Sequence, residues 1–385
     1  MRFASALKQP GLRVIAEVKR RSPSAGDLRT DANAAELAGQ FAAAGAAAIS
    51  VLVDERFGGT LEDLRAARAA TSAPLLGKGF FSTDQQLTEL FLAGADAVLV
   101  LLRDVDDQTA ASLIAHANDL GMDALVEAHD AHELSRAVAL GAPVIGINAR
   151  DLSTFEIDRR TQLELVSMAP RDRVVIAESG IDTRAQAAAA ELAGADAVLV
   201  GSALMRAHRP AEKLRDLQFR PLVKICGLTR QDDVDVALEA GADLVGFVLV
   251  EKSPRCAKAV LDVPKTALSV AVFSDEPRPS RADLVQLYSA GNGSVRGRNA
   301  VLLFDGRQVA EVLDQPWGEH DPEHWAKAAR ATGRIMLAGG LGPDNVRQAI
   351  SQVNPWAVDA SSALESQPGI KDHALVRKFI EAVHS

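Results

Sequence analysis

Apolar residues recur along the chain in one phrase. An alanine-rich segment with apolar positions three and four apart ends in glycine, and a β-branched run starts almost at once. The phrase reads AAAGAAAISVLV at Gly45, FLAGADAVLVLL at Gly94, DLGMDALVEA at Gly121, ALGAPVIGINA at Gly141, ELAGADAVLVGS at Gly194 and EAGADLVGFVLV at Gly241. Glycine just past a helix supplies a left-handed residue at little steric cost. Helices running into buried strands at this repeat predict stacked βα units. In the first half the strands are Val14–Lys19, Ala48–Val53, Pro74–Lys78, Ala97–Leu102, Ala124–Glu127, Val144–Asn148, Val174–Glu178 and Ala197–Gly201. Helical segments such as LEDLRAARAA and AASLIAHANDL separate them. Parallel strands with helical crossovers in this number predict a (β/α)8 TIM barrel. A doubly wound sheet is the alternative. It would carry a glycine-rich loop after the first strand, where this chain reads KRRSPSAG.

A second series starts at Leu222. Its strands are Leu222–Cys226, Leu244–Leu249, Leu268–Phe273, Leu284–Tyr288, Ala310–Asp314, Ile335–Ala338 and Ala357–Ala360, with a further apolar run at Ala300–Phe304. The junction lies near RDLQFRPLVK, which divides the chain into domains 1–218 and 219–385. After Tyr288 the link SAGNGSVRGRN has no helical pattern, and after Phe304 the link DGRQV is shorter still. A parallel crossover needs a dozen or more residues. VLLFDGRQVAEVLD reads instead as an antiparallel hairpin turning at Asp305-Gly306. The expected architecture is two fused (β/α)8 barrels. The second is shortened between its fourth and sixth strands, lacks about two crossover helices and is compact, open or distorted on that side.

Composition narrows the function. Hydrophobic content of 48% with only 4% aromatic residues fits helices packed on buried parallel strands. A net charge of -9 and no basic stripe argue against nucleic acid, so an anionic ligand must be held by local Lys, Arg and backbone N–H groups. Two cysteines make no disulfide framework, which fits a reducing cytoplasm. MRFASALKQPGLR lacks the apolar core of a signal peptide, and no run approaches the roughly 20 residues of a membrane span. The chain reads as a cytoplasmic monomer without cofactor or metal, acting on small molecules.

Polar groups close many of the strands. Glu17, Lys19, Lys78, Glu127, Asn148, Glu178 and Ser179 stand at strand ends of the first half. Each alone reads as a solvated strand-end group. Together at one barrel mouth they can supply a general acid, a general base and electrostatic clamps. Ser179-Gly180 and Gly201-Ser202 end the last two strands; they are tight turns or, equally, a phosphate cradle, since barrels often bind phosphate there. In the second half Cys226 ends the first strand, either as a small buried residue or as a thiolate base. His320 and His324 are four apart, but Pro322 interrupts any helix and the stretch reads as a solvated loop. Cys256 reads as packing.

The segments AEVKRRSPSAG, ISVLVDERFGGTLEDL, GKGFF, VEAHD, GINARDL, ESGI and VGSALM resemble indole-3-glycerol phosphate synthase, in order and at the right spacing over nearly the whole first half. The resemblance implies Lys78 as general acid for ring closure and Glu127 as general base in dehydration. It implies Glu17, Lys19, Asn148 and Glu178 as groups that position the substrate. Ser22, Arg150, Ser179, Gly180, Gly201 and Ser202 would contact phosphate, carboxylate or their supports. The chain departs from the family at Gly79, where Lys-Asp-Phe is usual. The family also begins several tens of residues earlier, with a helix covering the pocket. Here RFASAL corresponds to its tail, so either that lid is missing or the reading frame starts upstream.

The segments KICGLTRQDDVDVALEAGADLVGF, EKSPRCA, VAVFSDE, ADLVQLY, MLAGGLGPDNV and VDASSALESQPGIKD resemble phosphoribosylanthranilate isomerase. That resemblance implies Cys226 as general base of an Amadori rearrangement and Arg255 as the anthranilate carboxylate clamp. It puts Gly339, Gly340, Ser362 and Ala363 at a phosphate site and Asp359 near the sugar. The acid is Asp314, in EVLDQPWGEHDPEHW, or Asp305, in LLFDG. The family's glycine-rich loop is replaced by PWGEHD, and its QLHG by Gln286-Leu287-Tyr288-Ser289. The implied function is bifunctional, in tryptophan biosynthesis. The alternative keeps the synthase and makes the second half a non-catalytic domain.

Overall fold

The computed structural model describes residues 2–22, 26–151, 154–274, 276–288, 300–315 and 323–385. The chain divides into two compact units, Met1–Asp182 with Ala187–Phe219, and Thr183–Gln186 with Arg220–Ser385. Each unit is built around a closed eight-stranded barrel.

The first barrel follows the repeated phrase. Its strands are β1 (Arg13–Val18), β2 (Ala48–Leu52), β3 (Leu75–Lys78), β4 (Ala97–Leu101), β5 (Asp123–Ala128), β6 (Val144–Asn148), β7 (Val174–Glu178) and β8 (Ala197–Val200). All pair in parallel and in sequence order, and β8 closes on β1 with Ala197 beside Arg13. Helices α1 (Arg2–Leu7), α2 (Ala34–Ala43), α3 (Leu61–Ala70), α4 (Asp84–Leu92), α5 (Asp107–Asp119), α6 (Ala131–Ala139), α7 (Arg159–Met168), α8 (Arg184–Ala193), the short α9 (Ser202–Arg206) and α10 (Pro210–Phe219) accompany them. The helix starts are chemically marked. Asn33, Asp106, Asp130 and Asp158 each accept a backbone N–H of the first turn, and Thr60 and Thr83 form capping boxes. Gly94 at the end of the α4 phrase has φ +98, the left-handed conformation expected of it.

Helix α1 corrects one expectation. It does not cover the strand ends that carry the polar groups. Phe3 and Leu7 are fully buried against Ile15, Leu76, Leu125 and Val144, and the Ala4 N–H donates to Asp123 Oδ2 (3.1 Å). Asp123 opens β5, so α1 closes the opposite end of the barrel.

The second barrel comprises β9 (Leu222–Cys226), β10 (Leu244–Val248), β11 (Leu268–Phe273), β12 (Leu284–Tyr288), β13 (Ala300–Phe304), β14 (Arg307–Leu313), β15 (Ile335–Leu337) and β16 (Ala357–Ala360). The hairpin at Asp305-Gly306 is present: β13 pairs antiparallel with both β12 and β14. Two reversals restore direction, so β14 meets β15 in parallel and the ring closes. Of the compact, open and distorted outcomes, the open one does not occur, because the run at Ala300–Phe304 fills the gap as a strand. Helix loss is also wider than expected. Connections 249–267 and 274–283 hold no helix among their described residues. Pro254, Pro264, Pro277 and Pro279 account for this, since proline removes a donor and clashes within a helix. The link 289–299 and the PWGEHD segment lie outside the described residues, as does His320. Helices α11 (Gln231–Ala240), α12 (His324–Arg330), α13 (Val346–Val353) and α14 (His373–His384) complete the unit, around a core that includes Phe247, Phe273 and Phe379.

Candidate active sites

The C-terminal ends of β1 to β8 surround a cavity of about 320 Å3. Glu17, Lys19, Ser22, Lys78, Glu127, Asn148, Arg150, Ser179, Gly180, Gly201 and Ser202 all line it. Glu178 stands just behind, with its carboxyl on Lys78. Register explains the convergence: Leu52 pairs with Lys78, Leu101 with Glu127, and Asn148 with Glu178, so these side chains leave their strands at one level.

Lys78 is the hub. Its Nζ lies 2.5 Å from Glu178 Oε2 and 3.7 Å from both Glu17 Oε2 and Glu127 Oε2. Lys19 pairs with Glu17 at 2.7 Å. Burial alone would push the Lys78 proton off, but three carboxylates outweigh it and hold the ammonium form. Burial disfavours the charged form of every carboxylate here, and the cations decide between them. Glu127 stays well below the usual carboxylate range because of Lys78, His129 and Asn148, and Glu17 is lowered by Lys19 and Lys78. Glu178 is pushed up, since burial and its acidic neighbours overcome Lys78. The site therefore sets an ammonium group (Lys78) and a carboxylate (Glu127) side by side, a pairing able to donate and accept protons.

Supports surround this cluster. Asn148 donates from Nδ2 to Glu127 Oε1 (2.8 Å) and accepts the Arg150 N–H (2.9 Å). Buried Gln162, on α7, donates to the carbonyls of Ile147 (2.8 Å) and Glu178 (2.6 Å), locking the ends of β6 and β7. Arg20 is structural, forked onto Asp63 and bonded to the Gly58 carbonyl. Two glycines leave necessary space. A Cβ on Gly146 would fall 2.1 Å from Glu178 Oε1, and one on Gly201 would fall 2.3 Å from Glu17 Oε1. Ser179 and Gly180 are consecutive left-handed residues at the rim. Sequence reasoning missed the other wall: Leu52, Phe57, Phe80, Phe155 and Ile157 give the cavity an apolar side, and Arg206 joins its polar side beside Asp182 (2.8 Å). Phe57 stacks on Phe80, whose other contact is the Arg56 guanidinium 3.7 Å from the ring centre. Gly79 also has a local reason. A Cβ there would lie 2.8 Å from the Phe81 ring.

The second barrel carries a different constellation. Lys224, wholly buried within β9, donates to Asp359 Oδ2 (2.7 Å) and Gln286 Oε1 (2.8 Å). Gln286 donates to the Tyr288 hydroxyl (3.0 Å), which donates to Asp314 Oδ2 (2.8 Å). Cys226 is buried beside Lys224; burial pushes its thiol up while Lys224 pulls it down. A Cβ on Gly246 would lie 2.7 Å from the Cys226 sulfur. Burial raises Asp314 to about 6, against the lowering effect of the Tyr288 hydrogen bond. Asp305 is exposed at the hairpin turn, at the start of β14, whereas Asp314 follows the end of that strand. Arg255 is forked onto Glu365 (2.8–3.0 Å), which Lys371 also holds (2.9 Å). Gly339 and Gly340 follow β15, and Ser362 and Ala363 follow the neighbouring β16. His324 bonds the Ala338 carbonyl (3.0 Å). Lys224 and Glu365 were not singled out from the sequence.

Among the described residues no helix is long and apolar enough to cross a membrane. Residues 1–217 match the family described as indole-3-glycerol phosphate synthase, and residues 299–382 match the one described as N-(5'phosphoribosyl)anthranilate (PRA) isomerase. A multifunctional tryptophan biosynthesis protein of Phycomyces blakesleeanus is 32% identical over 98% of this chain and 63% of its own length. The protein of that description in Schizosaccharomyces pombe is 34% identical over 99% of this chain and 60% of its own length, so the chain spans less than two thirds of these two relatives. An indole-3-glycerol phosphate synthase of Nocardioides sp. is 50% identical over 53% of this chain and 79% of its own length. Through its first barrel, whose matched span takes in every polar group around Lys78, the chain belongs to the indole-3-glycerol phosphate synthase family.

Proposed function

We propose that the chain is bifunctional, with one reaction in each of domains 1–218 and 219–385. The first closes the ring of 1-(2-carboxyphenylamino)-1-deoxyribulose 5-phosphate, with loss of CO2 and water, to indole-3-glycerol phosphate. The observation that carries this reading is the geometry around Lys78, whose Nζ lies 3.7 Å from Glu127 Oε2 at the cavity mouth. An ammonium and a carboxylate within reach of one bound substrate are what a general acid and a general base require. Lys78 gives its proton to the substrate carbonyl oxygen as the aryl carbon attacks. Departure of CO2 restores the aromatic ring. Glu127 then takes a proton from the carbon beside the ring nitrogen as the hydroxyl, protonated from solvent, leaves as water, and solvent exchange restores Lys78 and Glu127. Glu17, Lys19, Asn148 and Glu178 hold the reacting groups in order. Ser22, Arg150, Ser179, Gly180, Gly201 and Ser202 receive the anionic ends, and the apolar wall receives the aromatic ring.

The second barrel isomerises N-(5-phosphoribosyl)anthranilate. Cys226 is the base, Asp314 the acid, Arg255 the carboxylate clamp and Asp359 a sugar-side group. Gly339, Gly340, Ser362 and Ala363 receive phosphate. The raised Asp314 supports its role as acid, and the exposed turn position of Asp305 disfavours the alternative. One observation favours the rival reading of a non-catalytic second half: Arg255 already has a carboxylate partner in Glu365. The enzyme works on small phosphorylated substrates, without a cofactor, as a cytoplasmic monomer. Separate assays test both halves. Lys78→Ala should abolish indole-glycerol phosphate formation, and full retained turnover would sink the assignment. Cys226→Ala should abolish isomerisation; unchanged isomerisation would remove Cys226 as the base, and none in the parent protein would leave the synthase alone.

A further inference from the structure

His129 follows β5 and takes no part in the chemistry described so far. Its ring is held between two carboxylates. Nε2 lies 3.2 Å from Glu127 Oε1, and Nδ1 lies 3.0 Å from Glu133 Oε2. The side chain is 13% exposed, so water does little to screen either pair. The outer carboxylate is fixed by the start of α6. Asp130 caps that helix by accepting the Glu133 N–H (2.8 Å), and Glu133 reaches back to accept the His129 N–H (2.8 Å). Glu133 thus fixes the ring at Nδ1 and leaves Nε2 facing Glu127.

The neighbours of Glu127 show why this matters. From β3 it faces Lys78 at 3.7 Å, and from β6 the neutral amide of Asn148. Glu17 on β1 adds like charge to the cluster, Glu178 on β7 is pushed toward its neutral form, and Lys19 is spent on Glu17. Lys78 is shared among three carboxylates and lies closest to Glu178. When Lys78 releases its proton to the substrate, it can no longer offset the charge on Glu127. His129 is then the cation left against Glu127, and it is the nearer of the two.

We propose that His129 is a positioning residue for the synthase reaction: clamped as an imidazolium between Glu127 and Glu133, it keeps the Glu127 carboxylate charged and oriented after Lys78 has given up its proton. The inference rests on the synthase reading of the first barrel. Burial would favour neutral imidazole, but the two carboxylates raise His129 to about 9, so the cation persists through the working range.

The test combines titration with kinetics. The chain has 8 histidines, and the spectrum of His129→Gln assigns the His129 signal in protein carrying 15N-labelled histidine. His129 should be cationic at pH 7.5, and Glu133→Gln should lower its apparent pKa by at least about one unit. In the synthase assay His129→Gln should lower kcat at least about tenfold with little change in KM. The acid limb of its pH profile should move to higher pH, because Glu127 then protonates more easily. A neutral His129 at pH 7.5, or a folded His129→Gln with unchanged kcat and profile, overturns the proposal. If His129→Gln does not fold, the histidine signal is assigned by elimination with the other positions, and Glu133→Gln decides: an unmoved His129 titration or unmoved kcat rejects the clamp. A parent protein without synthase turnover defeats the synthase reading instead, and the titration still reports whether the imidazolium clamp exists.

Discussion

The two barrels reach closure by different means. In the first, eight parallel strands carry helical crossovers, and the polar groups stand at strand ends around a cavity. In the second, several connections have no helix and one strand runs backwards, yet the ring still closes. What keeps a barrel shut is the continuity of its hydrogen-bond ladder. An antiparallel hairpin supplies that as well as a crossover does, and needs two turn residues instead of a dozen. The polar groups differ in a matching way. In the first barrel they share one hub, Lys78, at the mouth. In the second they string from Asp359 through Lys224, Gln286 and Tyr288 to Asp314, linking strands across the interior.

The sharpest test of this contrast is Lys78→Ala. It should cost the synthase a factor of at least about 10^3, within the upper range for loss of a general acid, while isomerisation stays at the parent rate. Loss of both reactions would show that the barrels are not chemically separate. Next comes Lys224→Met. Removing one member of a buried ion pair should destabilise the second barrel by about 3–5 kcal/mol. All three tryptophans, Trp317, Trp325 and Trp356, lie in the second half, so fluorescence during urea unfolding reads that barrel. Synthase activity, which needs no tryptophan signal, should persist to higher urea. An unshifted fluorescence midpoint would mean that the interior chain does not support closure.

Smaller effects separate the acids. As the proposed isomerase acid Asp314 would act protonated, and burial lifts it to about 6, so isomerase kcat/KM should fall as pH rises past about 6. Tyr288→Phe removes a hydrogen bond that favours the carboxylate. It should move this limb to higher pH and lower turnover by the equivalent of about 1–3 kcal/mol. A limb that stays in place would remove Asp314 from the assignment. The smallest change is expected at Gly79→Asp, which places an aspartate after Lys78, as is usual in the family of the first barrel. Lys78 already has three carboxylates near it, and the Phe81 ring can swing aside. The synthase rate should change by the equivalent of less than about 1 kcal/mol. A larger rise would mean that the missing carboxylate matters.

Legibility followed the range of the interactions. The first barrel's strands were readable to within a residue or so, because each βα unit repeats a local pattern of helix, glycine and apolar run. The Asp305-Gly306 hairpin was readable for the same reason. Closure of the second barrel was not, since it depends on which distant strand the Ala300–Phe304 run meets. Groups at strand ends could be collected from position alone. Gln162 and Lys224 could not, for their partners lie on other strands: Gln162 spans β6 and β7, and Lys224 sits inside an apolar strand, whereas His129 has its partners two residues before it and four after. The part assigned to RFASAL failed because a short amphipathic helix does not declare which end of a barrel it will close.

Three glycines give the comparison one further consequence. Gly146, Gly201 and Gly246 each leave room that a reactive or charged side chain fills. In a library of random substitutions these positions should tolerate as little as the acids and bases themselves. They would be easily mistaken for chemistry, because a vacancy has no group to assay. Attempts to re-tailor the first barrel's pocket should therefore hold Gly146 and Gly201 fixed and vary the apolar wall around Phe57 and Phe155 instead.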